Sequence, residues 1–240
     1  MAFSTAGIPK SGFPKGTCAI SAQMKNYRSQ HLHILFSFWQ RLSSYNRGIK
    51  LHLDRATIRA LDGQVGQYIA PSGVGGNLRR FGIRASKIAE LGWYEETNVD
   101  GLTVICTPSQ HNSSRTILDW NRTLWGSFVL KDGAHTVFDS GDGGFGNHFS
   151  EIRQRYGAPD LAIMECGQYG EKWHTTHMFP EESVQACRML GAKLAVPVHW
   201  GAYVLSNHPW DDPPRRFRQR AEELNQRFRI PVLNQVIPVP

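Results

Sequence analysis

The chain has 240 residues, 40% of them hydrophobic and 20% charged, which supports one sizeable core and excludes a disordered or disulfide-stapled polypeptide. Lysine and arginine exceed aspartate and glutamate by 27 to 20, for a formal net charge of +7, which attracts phosphate-bearing ligands, nucleic acid or anionic lipid without choosing among them. No apolar run approaches the ~18–20 residues of a membrane-spanning helix, and MAFSTAGIPKSGFPKGTCAI at the start is broken by glycine and proline, so a cytoplasmic location is expected.

Residues 1–50 have poor periodicity and one apolar run, HLHILFSFW, that reads as a strand or a short helix; they form an atypical amino-terminal segment whose order is left open. Residues 51–240 read as one regular domain. It begins with Asp54 as a helix N-cap, the helical stretch RATIRAL and Gly63 as its stop. Short apolar runs follow, each ending in a polar, glycine-containing loop: LTVIC into TPSQHNSSRT, residues 136–138 into DSGDGGFG, LAIM into ECGQYG, and LAVPV into HWGAY. Helices are expected at 150–156, at 180–190 between Pro180 and Gly191, and at 213–228 with Asp212 as cap. Four cysteines lie far apart without a CxxC pair, and Cys106 and Cys166, within or beside strand-like runs, read as buried free thiols.

Alternating strands and helices bring loops at the carboxyl ends of strands to one edge, where functional groups converge. Those loops carry His111, Asp142, Glu165, Gln168 and His199. Histidine with carboxylate and no cysteine is the donor set of a hydrolytic zinc centre. Asp142 sits among Gly141, Gly143 and Gly144, which permit close approach of a metal or substrate; a glycine-rich turn is the alternative reading. A carboxylate bridging two cations holds them ~3.5–4 Å apart, the separation of two-metal hydrolysis of phosphodiesters, amides, esters or lactones.

Six segments in order, TPSQHNSSRT, TLWGSFV, FDSGDGGFG, HMFPEESVQA, AVPVHWGAY and DDPPRRFRQ, resemble the carboxyl-terminal two-thirds of the metallo-β-lactamase superfamily. The resemblance covers about residues 51–235 and lies nearest the branch of N-acylphosphatidylethanolamine-hydrolysing phospholipase D and its bacterial RomA-type relatives. It implies an α/β fold, an αββα sandwich, incomplete here at the amino-terminal sheet, with a dinuclear zinc site at one edge. Carried onto this chain, it makes His111 a ligand of the first metal, Asp142 the bridge, and His52 and His199 ligands of the second. His177 corresponds to a histidine that assists the substrate or leaving group, helix-start packing being the alternative. Trp125, Gln168 and Trp200 are expected to line or support the substrate pocket.

The family's HxHxDH motif is not intact. The chain reads SSYNRGIKLHLD, in which His52 matches the last histidine and Leu51 stands where the aspartate belongs. With two residues inserted, Tyr45 and Arg47 occupy the places of the first two histidines; His31 and His33 have HxH spacing but lie about twenty residues too early. The expectation is a zinc-dependent phosphodiesterase for a phospholipid-like substrate, with one or two Zn2+ and peripheral membrane contact. The alternative is a catalytically impaired paralogue holding at most one metal. A nucleic-acid partner rests on net charge alone and is not favoured.

Overall fold

A computed structural model describes residues 53–114, 119–201, 205–232 and 236–240, together with three short amino-terminal strands. These strands are β1 (Ala2–Ser4), β2 (Ser21–Gln23) and β3 (Ile34–Phe36). Next come α1 (Arg55–Leu61), β4 (Gln67–Pro71), α2 (Gly75–Arg80), β5 (Ile88–Leu91), β6 (Glu96–Val99), β7 (Leu102–Thr107), β8 (Ser127–Lys131) and β9 (Thr136–Asp139). The remainder is α3 (His148–Tyr156), β10 (Leu161–Glu165), α4 (Pro180–Leu190), β11 (Leu194–Val198), α5 (Asp212–Glu223) and β12 (Val236–Pro238).

The strands form two six-stranded sheets, ordered β12-β1-β2-β3-β4-β5 and β11-β10-β9-β8-β7-β6. The amino-terminal sheet expected to be incomplete has six paired strands, and its shortfall is in length: β1, β2, β3 and β12 have three residues each. β1 to β3, from the segment set apart at 1–50, join the same sheet as β4 and β5.

Side-chain alternation along each strand explains the layers. In β7, Leu102, Val104 and Cys106 face the other sheet while Ile105 faces the helices; in β10, Leu161 and Ile163 point inward while Ala162 and Met164 point outward. From the first sheet, Ile69 and Leu91, joined by Ile237, complete the core between the sheets. On the outer face of the second sheet, Phe149, Val184, Leu190 and Phe217 of α3, α4 and α5 pack against Phe138 and Met164. Beyond the first sheet, Ile58 and Leu78 of α1 and α2 cover Tyr68 and Ala70. The order helix, sheet, sheet, helix is the expected αββα sandwich.

Local signals explain the helix ends. Asp54 accepts the Thr57 amide at 2.7 Å and caps α1 as expected. α4 starts at Pro180 and stops at Gly191, whose left-handed backbone (φ 69°) closes the helix. α5 departs from expectation: it runs 212–223 instead of 213–228, and its cap is Asp211. Asn225 at φ 52° turns the chain out of the helix, and Phe228 then bridges to Ala195 beside β11. Asp212 instead accepts hydrogen bonds from Tyr169 Oη and Arg215. Cys106, Cys166 and Cys187 are buried free thiols, and burial pushes the Cys106 thiol up to about 12.

Candidate metal centre

β7 and β8, then β8 and β9, pair antiparallel, while β9, β10 and β11 run parallel. β7, β9, β10 and β11 therefore end at one edge of the second sheet, and the loops leaving them share it. His111 follows β7, Asp142 follows β9, Glu165 ends β10, His177 lies before α4, and His199 follows β11 directly. Glu165 has the parity of Leu161 and Ile163, so it points between the sheets.

Close approach of these loops demands glycine at two positions. A side chain on Gly144 would run into the Thr175 carbonyl, and one on Gly167 into the carbonyl of His199. His199 itself adopts φ 69°, a conformation rarely held by a non-glycine residue and one that clusters at functional sites.

The side chains converge. The His111 and His177 ring centres are 5.3 Å apart, and those of His177 and His199 are 5.2 Å apart and nearly parallel at 12°. His199 Nε2 lies 3.4 Å from Asp142 Oδ1. Donor atoms of Glu165, His177 and His199 lie within 4.8 Å of one another. Both carboxylates are deeply buried, Asp142 at 2% exposure and Glu165 at 0%. Two buried carboxylates among imidazoles are costly unless cations or hydrogen-bond donors neutralise them.

The electrostatics follow from that burial. Burial raises the Glu165 carboxyl above its usual range, against the pull of His177 and His199. For His177, burial alone would favour the neutral ring, but the charge and hydrogen bond of Glu165, with Asp142 behind it, leave the imidazole raised. Asp139, at the end of β9, is lifted to about 7 by burial and by Asp142, against the Gly141 amide that bonds it.

Backbone partners fix how the rings face. A carbonyl oxygen only accepts, so His111 Nδ1, 2.6 Å from the Asn112 carbonyl, and His199 Nδ1, 3.3 Å from the Gly167 carbonyl, each carry the proton, and Nε2 is left as the acceptor atom. Imidazole nitrogen with carboxylate oxygen suits zinc, and two imidazoles on one zinc at about 2.0–2.1 Å place their ring centres about 5 Å apart. The observed spacings fit. Among the described residues, Glu165, His177 and His199 form a cluster that could hold a metal ion, and His111 and Asp142 adjoin it.

Residues 52–200 match the profile of the Beta-lactamase superfamily domain. The chain belongs to the β-lactamase superfamily. It is similar to an uncharacterized protein of Mycobacterium tuberculosis, 38% identical over 188 residues, 77% of this chain and 50% of that protein. It is also similar to the mitochondrial N-acyl-phosphatidylethanolamine-hydrolyzing phospholipase D of Saccharomyces cerevisiae, 32% identical over 181 residues, 71% of this chain and 38% of that one. The chain thus spans half or less of the length of these curated relatives. Among solved structures it resembles Igni18, described as a metallo hydrolase from Ignicoccus hospitalis, with TM-score 0.68, 16% identity and coverage of 98% of this chain and 97% of that one. The expected superfamily and its phospholipase branch are borne out.

Within the superfamily frame, His111, Asp142, His177 and His199 meet. His52, together with Leu51, Tyr45 and Arg47 of the altered motif, lies outside the described residues. Trp125 is half-buried and donates from Nε1 to the Ser109 carbonyl at 3.1 Å, bracing the loop that carries His111. Gln168, at φ 61°, ties two loops together: its amide donates to His208 Nε2 at 2.9 Å, and its Oε1 accepts from Leu205 N at 3.2 Å. Trp200 packs on the helix-side core and donates to the Pro197 carbonyl at 3.2 Å. Glu165 was visible in sequence as a strand-end residue without an assigned role; its sign was a charged residue closing an otherwise apolar strand. An open groove of about 540 Å³ between α4 and α5, lined by Phe145, Glu181, Arg216 and Glu223 among others, includes none of the site histidines.

Proposed function

We propose that this chain is a zinc-dependent phosphodiesterase acting on a phospholipid-like substrate. The observation that carries this reading is the convergence of His111, Asp142, His177 and His199 at one sheet edge. Its similarity to a phospholipase D that hydrolyses N-acyl-phosphatidylethanolamine supports the substrate class, and a net charge of +7 suits a phosphate-bearing ligand. Zinc, when bound, supplies Lewis-acid polarisation and activation of water. The chain's own groups do the rest. Buried Asp142 and the three part-exposed histidines would hold the charge of the centre at the sheet edge. Trp125 and Gln168 fix the loops that border the substrate, with Trp200 supporting them from the helix side. His177, bonded to Glu165 through Nδ1, would stand with His111 and His199 among the groups that hold the metal.

A second reading, a catalytically impaired member of the family, is favoured by the altered motif, where Leu51, Tyr45 and Arg47 replace expected ligands. Metal content per chain, measured by elemental analysis on wild type and His199→Ala, separates the two. The catalytic reading expects about one zinc per chain, lost in the variant, and zinc-dependent hydrolysis of bis(p-nitrophenyl) phosphate and a phosphatidylethanolamine derivative. No bound zinc after loading sinks it. Zinc without hydrolysis of either substrate leaves the impaired reading standing.

A further inference from the structure

Glu165 is the group the proposed chemistry leaves without a task. It is fully buried, yet its two oxygens are engaged by different partners: Oε1 accepts the Met178 amide at 2.6 Å, and Oε2 lies 2.8 Å from His177 Nδ1. The same Oε2 stands 3.5 Å from His199 Nδ1, whose proton is already directed to the Gly167 carbonyl. The Ser140 hydroxyl ties the start of this arrangement down, accepting the Glu165 amide at 2.9 Å. One carboxylate thus backs two nearly parallel imidazoles on the side away from Asp142, and His199 turns its Nε2 toward Asp142.

We propose that Glu165 is the positioning carboxylate of this centre: it holds His177 with the proton on Nδ1 and the lone pair on Nε2, beside a His199 that the Gly167 carbonyl holds in the same tautomer, and thereby recruits His177 as a metal ligand in place of an imidazole that the altered amino-terminal motif does not supply. Carboxylates bonded to the non-ligating nitrogen of a histidine set its tautomer and raise its basicity, and their loss typically costs 10–100-fold in metal affinity. The inference rests on the metal-centre reading and is independent of the phospholipid substrate.

Glu165→Gln is nearly isosteric and makes a specific prediction. The Met178 amide needs an acceptor, so the single carbonyl of glutamine must face it, which turns the NH2 toward His177 Nδ1. That ring then has to accept at Nδ1 and carry its proton on Nε2, where it can no longer bind a metal. Nitrogen-15 NMR of the histidine side chains, on metal-free protein at a pH where both rings are neutral, should show Nδ1–H for His177 and His199 in wild type. In Glu165→Gln, His177 should switch to Nε2–H while His199 keeps its tautomer through Gly167. Zinc affinity, by chelator competition, should fall about 10–100-fold. An Nε2–H tautomer for His177 in wild type overturns the proposal, as does a variant that keeps tautomer and affinity. If the variant does not fold, the wild-type tautomer alone decides. Inactivity toward phosphodiesters with the predicted tautomers and affinities would overturn the substrate reading and leave this one intact.

Discussion

Gly144 and Gly167 show how narrowly the centre depends on single residues. Gly144 N donates to the Gln110 carbonyl at 2.8 Å, so the loop bearing Asp142 is laced to the loop bearing His111 at the point where no side chain fits. Gly144→Ala should drive its methyl into the Thr175 carbonyl, destabilise the fold by about 1–3 kcal/mol and weaken zinc binding, measured by thermal melting and chelator competition. Unchanged melting and affinity would mean the loop yields freely. His111, Asp142 and His199 were legible because each lies just past an apolar run, where strand-end logic finds them without knowledge of the fold. Glu165 was harder to read, since a carboxylate facing solvent and one sealed beneath two histidines are spelled the same; only strand parity and sheet pairing separate them.

At the scale of elements, the helix signals were the readable ones, because proline, glycine and capping aspartate act locally. α1 and α4 begin and end where those residues predict, whereas α5 stops early because Asn225 and the bridge from Phe228 to Ala195 are set by β11, not by the helix. β5 (IAEL) and β6 (ETNV) went unnoticed, since polar residues break their apolar pattern and pairing, rather than propensity, makes them strands. α3 carries a pH response of its own. Burial depresses its first residue, His148, from 6.5 to about 4, so the folded chain keeps the ring neutral over a range where the unfolded chain takes up a proton. Stability is therefore fully present above about pH 6.5 and declines as pH falls toward 4. The loss between pH 7 and pH 5 should be about 1–2 kcal/mol in denaturant melts. His148→Gln should flatten that slope; an equally steep slope in the variant would place the response elsewhere.

The whole molecule is held by the core between its sheets. Leu102, 1% exposed, packs there against both layers' side chains. Leu102→Ala should cost about 2–5 kcal/mol and lower the melting temperature by about 5–15 °C; a shift under ~2 °C would mean the sheets close over the gap. Among the described residues no helix is long and apolar enough to cross a membrane. The sandwich architecture was accessible from the alternation of strand and helix and from the family resemblance; β3 falls within HLHILFSFW, the run that reads as a strand or a short helix, while the three-residue strands β1 and β2 carry too little pattern to announce themselves.

Every described donor, from His111 to His199, hangs from the second sheet, while the altered motif precedes α1 in the sequence. The chain is in this sense a socket with one wall already fitted. A chimera exchanging residues 1–66 for the matching stretch of a relative that keeps HxHxDH would leave Asp142, Glu165 and three imidazoles in the strand ends and loops of the second sheet.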